Sequence, residues 1–447
     1  MLEFEPSVRQ KYFVAKTVFK MVSPQVSPQP SEQISGAFSK AVVALFATLA
    51  LVGFSGCATY QSKVAAARNE MRSGNAVKAA SDLAPLAEKE DKDQLVYMLD
   101  YATALQQAGN YKESAKEFNA AEKIADIQDY HSITNIASSM VLSEEMIQYK
   151  GDDYEKVLIN ALNSINYLEL GERDDALVEV RKLNNKLYKF KYEAKRDYDQ
   201  NPFAFYLSAV IWEADKKFDD AYISYKQAYE LVPNYPPLKE DLIRAAIRAQ
   251  RPEDVDMWKK KFPEVKIDPA WNDRSMGEIV LVYMQGWGPR KQPRPGAPRF
   301  PHLVPVYSQI QRARLTADDH TADSHEIFSV QNVAIKTLND DYARLVASRV
   351  AGVVTKAVLA DQIAQKNKAL GMVAYLALSA SDRADLRQWS MLPQTFQIAR
   401  LPLKAGKYKV QIRGVDSFGG SASEMAPERN VEVLPGQKLF LSWRSVK

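Results

Sequence analysis

The sequence has a single cysteine, Cys57, and only four histidines among its 447 residues. One cysteine excludes an internal disulfide. Two of the histidines, His131 and His302, have no neighbouring residues in a pattern typical of acid–base catalysis. The Gly-Lys loop that cradles phosphates in nucleotide-binding proteins is absent as well. These absences disfavour an enzyme, so we predict no catalytic residue and no cofactor.

A strong net charge, positive or negative, is also missing. The 59 Lys and Arg residues are nearly balanced by 55 Asp and Glu residues. A surface with so little net charge has no general attraction to nucleic acid or to anionic lipid. Nucleic acid is therefore not expected among the partners.

The uncharged apolar run at 41–54 is shorter than the roughly 20 residues that a membrane span needs. Lys40 precedes it, and small residues separate it from Cys57. A basic flank, a short apolar segment and small residues before a cut are typical of a secretory signal peptide. We therefore predict that residues 1–56 are a leader and signal peptide. Translation starts at either Met1 or Met21.

Residues 54–57, Phe-Ser-Gly-Cys, resemble the lipobox of bacterial lipoproteins, which prefers Leu where this chain has Phe54. The resemblance implies that Cys57 is lipidated and becomes the first residue of the mature chain. Ala58 follows it, which by the same resemblance favours the outer membrane. Two or more acyl chains anchor a protein stably. We expect a lipid anchor on the periplasmic face of that membrane, followed by a tether at 57–63.

Helical runs that repeat along the chain follow the tether. Gly109 follows Gly74 by 35 residues, close to the period of about 34 residues of tetratricopeptide repeats. Turns at Gly171 and Lys216 begin two further units, with irregular spacing. The pattern predicts an all-α helical repeat domain, similar to a tetratricopeptide solenoid, over 64–250, with an extra helix at 131–149.

The composition and the spacing of apolar residues change after this domain. Residues 251–276 are punctuated by proline and are interpreted as a crossover linker. Residues 279–283 are consecutive β-formers, which predicts a strand buried on both faces. We assign 277–390 to an α+β domain, with further strands at 303–307 and 327–335 and helices at 340–365 and 369–380. From residue 391 the apolar period becomes two, which predicts a β-rich C-terminal module at 391–447, a small antiparallel sheet or sandwich.

Three stretches together resemble a known group of proteins: residues 149–183, GEIVLVYMQGWGPRK, and DLRQWSMLPQTFQIARLPLKAGKYKVQIRG. With the lipobox in front, the chain is similar to uncharacterised tetratricopeptide-like lipoproteins of proteobacteria. The resemblance covers most of residues 57–447. It implies an envelope location and brings no catalytic residues.

Two polar clusters are candidates for binding. The acidic stretch 318–326 holds two histidines, but its His-x4-His spacing does not place both on one helical face, and a solvated loop explains it; we predict no metal site. The proline-rich loop 289–301 and the tryptophan before it carry residue types that often dominate interfaces. The predicted partner-binding residues are Trp287, Arg290, Lys291 and Arg299. The alternative is a stiff connection between strands with hydrated charges.

These observations predict a lipid-anchored, non-enzymatic scaffold or adaptor that binds periplasmic or outer-membrane proteins through its helical repeats. The alternative is a peptidoglycan-associated lipoprotein that binds glycan or activates a cell-wall synthase. A hydrolase whose carboxylates meet only in the folded chain is a third hypothesis.

Overall fold

The computed structural model describes residues 59–132, 148–193, 201–366, 372 and 383–447, which lie in one compact unit, Ala58–Lys447. The predicted leader, Cys57, most of the predicted extra helix and nearly all of the predicted helix at 369–380 lie outside the described residues.

Helices form the first part of the described chain. They are α1 (Tyr60–Lys63), α2 (Ala65–Arg72), α3 (Ala76–Ala87), α4 (Gln94–Gln107), α5 (Tyr111–Ser132), α6 (Asp153–Leu170), α7 (Arg173–Tyr188), α8 (Pro202–Ala214), α9 (Phe218–Leu231), α10 (Pro237–Arg248) and α11 (Pro252–Lys261). From α2 onward they pack as successive pairs, α2 with α3 through to α10 with α11, and neighbouring pairs contact one another.

Each pair turns at one residue with left-handed backbone. These residues are Gly74, Gly109, Gly171, Lys216 and Gln250, with φ between 55° and 81°. Glycine adopts this conformation without the steric cost that a Cβ brings, so glycine is typical of the end of a helix. In the first four pairs a small buried residue follows five positions later, at Ala79, Ser114, Ala176 and Ala221, where the helices approach closely. The repeat predicted from sequence is therefore present.

The fifth pair corrects the predicted linker at 251–276, because α11 lies inside it. Pro252 occupies the first turn of α11, where a missing N–H costs nothing. Trp258 on this helix is buried and donates a hydrogen bond to the Tyr222 hydroxyl at 2.9 Å. The tether predicted at 57–63 is also too long, since Tyr60 in α1 is only 4% exposed.

The strands of the C-terminal part are β1 (Met276–Gln285), β2 (Arg290–Arg294), β3 (Ala297–Val304), β4 (Arg312–Ala317), β5 (His320–Asp323), β6 (His325–Ser329), β7 (Thr395–Lys404), β8 (Gly406–Val415), β9 (Ser421–Met425), β10 (Arg429–Val433) and β11 (Lys438–Arg444). One sheet has the order β11-β1-β7-β6, and β1 pairs in parallel with β11. The second has the order β10-β8-β4-β5, with β9 beside β8. The strands β2 and β3 form a separate hairpin.

Strand β1 is buried on both faces, as its sequence predicts. Ile279 and Leu281 point into the core between the two sheets, whereas Val280 and Val282 join the core shared with the helices. The residues alternate because successive side chains of a strand point to opposite faces. The molecule is therefore layered as helices, first sheet and second sheet.

Two predictions for this part need correction. Residues 391–447 do not form a sheet of their own, because β7 and β11 pair with β1, and β8 pairs with β4. The strand predicted at 327–335 ends at Ser329, whose side chain accepts a hydrogen bond from the Asn332 N–H and begins α12 (Val330–Asp340). The apolar period of so short a run does not distinguish a strand from the start of a helix.

The helix predicted at 340–365 corresponds to α13 (Tyr342–Lys366), which begins two residues later because Asp340 ends α12. Among the residues that the structure describes, no helix combines the length and the apolar character that a membrane crossing requires.

Candidate functional site

The inner face of the helical array is where a repeat protein of this shape would bind a partner. Here it is filled by the chain itself. The segment at residues 385–392, which we call the strap, runs without regular secondary structure between α13 and β7. Trp389, Ser390, Met391 and Leu392 in the strap are all at most 4% exposed.

The carboxylate of Asp100 on α4 holds the middle of the strap. It accepts hydrogen bonds from the Ser390 hydroxyl and the Met391 N–H, both at 2.9 Å, and from the Tyr60 hydroxyl at 2.5 Å. Tyr60 also donates to the carbonyl of Gln388 at 2.7 Å. Asp100 is fully buried. The first helix, the fourth helix and the strap therefore meet at one carboxylate.

Trp389 fills the groove beside it. Its indole N–H donates to Thr103 Oγ1 at 2.9 Å, and its ring lies 5.7 Å from that of Phe118. Its backbone N–H donates to the carboxylate of Glu155 on α6 at 2.8 Å. At the start of the strap Arg387 forms ion pairs with Asp385 and with Asp93 of the helical array, at 2.7 and 3.0 Å. A buried segment without regular secondary structure, an anchoring indole and an arginine give the strap the features of a bound peptide.

Burial shifts the two strap-binding carboxyls in the same direction. Burial raises the pKa of Asp100 to about 7, although the hydrogen bonds from Tyr60 and Ser390 act the other way. Burial, reinforced by the neighbouring charge of Asp152, raises the pKa of Glu155 to about 7. The donors around Asp100 are neutral groups, which replace water only in part.

A second contact between helices and sheet is built on charge. Glu213 on α8 and Asp241 on α10 face Glu278 on β1 across four cations. We call these seven residues the charge network: Glu213, Asp241, Arg244, Arg248, Glu278, Arg400 and Lys438. Arg400 on β7 contacts all three carboxylates at 2.6 to 3.0 Å. Tyr225 adds a hydrogen bond from its hydroxyl to Glu213 at 3.0 Å.

The cations reverse the effect of burial on these carboxyls. Burial acts to raise the pKa of Glu213, but attraction to Lys438, Arg400 and the two other arginines holds it well below its usual range. The pKa of Glu278 is lowered for the same reason, with Arg400 and Lys438 outweighing burial. The cations of the charge network therefore favour the ionised forms of Glu213 and Glu278.

The residues predicted to bind a partner mostly contact their own chain. Trp287 is 3% exposed, and its indole N–H donates to the carbonyl of Val446 at 2.9 Å. Arg290 donates to the side-chain oxygen of Gln61 at 2.8 Å, and the Lys291 ammonium donates to the carbonyl of Arg387 at 3.1 Å. Arg299 is exposed, near the turn of the β2–β3 hairpin. The predicted loop 289–301 is thus largely a hairpin whose first residues bind α1 and the strap.

No group of three His, Cys, Asp or Glu side chains in the described ranges lies close enough together to hold a metal ion. In the stretch 318–326, Asp323 instead forms ion pairs with Arg312 at 3.2 Å and Arg314 at 2.6 Å. The lipidation site Cys57 lies outside the described residues.

The strap itself was not predicted as a site. The apolar residues of its sequence, DLRQWSML, follow neither the helical nor the strand period. The sequence pattern therefore predicts no secondary structure for it. The available signal was a tryptophan and an arginine in an aperiodic stretch, residue types that often anchor contacts. What they contact depends on residues nearly 300 positions away.

No protein-family model and no curated protein matches this sequence. The MamA protein of Desulfovibrio magneticus RS-1 is 16% identical, over 45% of this chain and 92% of that one, with a TM-score of 0.30. MamA AMB-1 is 15% identical over 44% of this chain and 87% of that one, with a TM-score of 0.30. A kinesin light chain of Podosopora anserina with nearly identical TPR-like repeats is 13% identical over 46% of this chain and 97% of that one, with a TM-score of 0.31. Similarities this low support no argument about function. The contacts described above define the class: a helical-repeat protein whose inner face is filled by its own α+β part.

Proposed function

We propose that this chain is a lipid-anchored, non-enzymatic scaffold on the periplasmic face of the outer membrane. The observation that carries the proposal is the position of Tyr60, which is buried and bonded to Asp100 only three residues after Cys57. Three residues span at most about 11 Å. Acyl chains on Cys57 would therefore hold the folded body close to the bilayer.

A fatty-acid labelling experiment tests the anchor. Cells expressing the full chain are grown with a labelled fatty acid, beside cells expressing Cys57→Ser. We expect label and membrane fractionation for the wild type and neither for the variant. A wild-type chain that takes up no label, or that keeps its leader in a soluble fraction, would contradict the proposal.

The scaffold part of the proposal concerns the outward face of the helices, because the strap and first sheet cover the inner face. Exposed apolar side chains lie on α6, on α7 and on the π-helical segment that follows: Leu170, Val178, Tyr188 and Tyr192, which are 38 to 60% exposed. Tyr188 and Tyr192 have ring centres 4.6 Å apart. Exposed apolar residues that lie together are typical of protein-binding surfaces.

Photo-crosslinking in the intact envelope tests this surface. A photoreactive amino acid is placed at Val178 or Tyr192, with Lys116 on α5 as the matched exposed control. We expect a discrete protein adduct from the first two positions and none from the control. Equal labelling at all three positions would remove the support for a specific surface there.

The peptidoglycan alternative depends on the predicted basic residues Arg290, Lys291 and Arg299, of which Arg299 is the most exposed. Purified sacculi incubated with the Ala58–Lys447 form therefore give no binding that depends on Arg299, if the scaffold proposal is right. Sacculus binding that is lost in Arg299→Ala would favour the alternative.

A further inference from the structure

Trp287 is surrounded by three arginines. The guanidinium carbons of Arg68, Arg72 and Arg444 lie 5.7, 5.2 and 4.9 Å from the centre of its indole ring. The first two come from α2, one helical turn apart and so on one face of the helix. The third ends β11. Three positive charges thus meet around one aromatic ring.

None of these three arginines forms an ion pair within the part of the chain that the structure describes. Arg68 is 5% exposed and Arg444 is 4% exposed, and the Nε of each is buried without a hydrogen-bond acceptor. The terminal nitrogens of Arg444 donate to backbone carbonyls, including that of Gly286 at 3.1 Å. No carboxylate of the described residues lies within ion-pair distance of the three guanidinium groups. Buried cations are normally paired with an anion.

The acids in this neighbourhood are already engaged. Asp100 accepts from the strap, and Glu424 accepts from the N–H groups of Val446 and Lys447 at 2.9 to 3.2 Å. Burial lowers the pKa of Arg444 to about 9 in spite of their attraction. The environment is therefore one in which an added negative charge would be stabilised.

Arg72 opens the cluster to solvent, since its side chain is exposed. Guanidinium groups bind tetrahedral oxyanions through paired N–H donors, and two of them one helical turn apart can share one anion. The geometry points to a phosphate-binding site formed by Arg68 and Arg72 on α2, with Arg444 and Trp287 as its inner wall. Trp287 thus acts as a platform for the cations, and it does not itself contact a partner.

The phosphate has two sources with the same chemistry, a free phosphate ion and the headgroup of an anionic phospholipid. The lipid source rests on the proposed function, because α2 begins eight residues after Cys57 and an acylated Cys57 would bring headgroups near. The free ion needs no anchor. The test therefore has one arm for each source.

In the first arm, inorganic phosphate is titrated into the unlipidated Ala58–Lys447 chain by calorimetry, with sodium chloride at equal ionic strength as the reference. We expect saturable binding that weakens by about tenfold or more in Arg68→Gln and in Arg72→Gln, since each removes a charge-assisted hydrogen bond. Arg251→Gln, which alters an exposed arginine paired with Asp219 at 2.9 Å, is the matched control and binds as the wild type does. Because Arg72 is exposed, its variant stays folded even if Arg68→Gln does not.

In the second arm, vesicles of phosphatidylglycerol in phosphatidylcholine are sedimented with the same proteins. Co-sedimentation that Arg72→Gln abolishes assigns the site to a lipid headgroup, and calorimetric binding without co-sedimentation assigns it to the free ion. A wild type that shows neither, or an Arg72→Gln protein that binds as tightly as the wild type in both arms, overturns the proposal. Fatty-acid labelling of Cys57 in the Arg72→Gln chain keeps this result separate from failure of the anchor.

Discussion

The helices contact the C-terminal part in two regions that bury carboxyl groups in opposite ways. Around the strap, Asp100 and Glu155 accept hydrogen bonds chiefly from neutral groups, and burial raises the pKa of each to about 7. In the charge network, Glu213 and Glu278 are also buried, but attraction to Arg400, Lys438 and Arg244 holds the pKa of each below its usual range. Burial thus decides the direction of the shift only where nearby cations do not outweigh it. The strap region favours the neutral forms of Asp100 and Glu155, and the charge network favours the ionised forms of Glu213 and Glu278.

The largest effect is expected from removing the central cation. Arg400→Met removes the one cation that contacts Glu213, Asp241 and Glu278 together, and breaking buried ion pairs costs about 3–5 kcal/mol of unfolding free energy. Urea unfolding measures this change. Arg251→Met, in an exposed pair with Asp219, is the control and changes little. A loss below about 1 kcal/mol for Arg400→Met would show that the charge network does not hold the two layers together.

A slightly smaller loss is expected in the strap. Trp389→Ala empties the groove beside Phe118 and costs about 3–4 kcal/mol. Trp389→Phe keeps a ring and loses the hydrogen bond to Thr103, so it costs about 1 kcal/mol. The two variants are compared in the same urea experiment. Equal and small losses would mean that the groove does not depend on the indole.

Dependence on pH separates the two regions. The folded-state pKa values of Asp100 and Glu155 lie above their ordinary values, so their contribution to stability is fully present below about pH 4 and is lost as the pH rises through about 7. The Asp100→Asn variant has no carboxyl to ionise at this position, so the part of the stability loss that comes from Asp100 is absent. The fall in unfolding free energy between pH 5 and pH 8 should therefore shrink by about 2–3 kcal/mol.

The stability that Glu278 contributes depends on pH in the opposite direction, which Glu278→Gln tests. Its lowered pKa means that the stabilisation is present above the ordinary value near 4.5 and is lost as the pH falls through the folded-state value. Between pH 5 and pH 8 the variant should be less stable than the wild type by a nearly constant amount. A pH-dependent penalty in this window for Glu278→Gln, or none of the expected flattening for Asp100→Asn, would remove the contrast between the regions.

The smallest effect is expected from an ion pair that lies on the surface, in contrast to the buried ion pairs of the charge network. Lys78 and Asp82 form an i,i+4 ion pair on α3, and the lysine is exposed. Because solvent screens such pairs, the Lys78→Ala variant should unfold at the same urea concentration as the wild type. A clear loss there would mean that ion pairs stabilise this protein without being buried.

The sequence predicts the features that depend on near neighbours in the chain. Glycines at three of the five turns indicate the repeats, whereas Gln250 adopts the same left-handed backbone without that signal, so the second helix of the fifth pair is assigned to a linker. The run 279–283 predicts β1 because both faces of that strand are buried.

The rest depends on contacts between distant residues. The pairing of β1 with β11 joins residues 160 positions apart, and the hydrogen bond from Met391 to Asp100 joins residues 291 apart. No local pattern encodes such partners. The same applies to Trp287, whose residue type predicts an interface and whose partners are arginines of its own chain.

Hydrogen exchange of the Ala58–Lys447 chain tests most directly whether the inner face is filled by the chain itself. The N–H groups of Trp389 and Met391 donate to buried carboxylates, so peptides covering the strap should exchange as slowly as those covering β1. The exposed turn at 416–420 provides the fast reference. Strap peptides that exchange as fast as this turn would show that the groove is open, and would contradict the account.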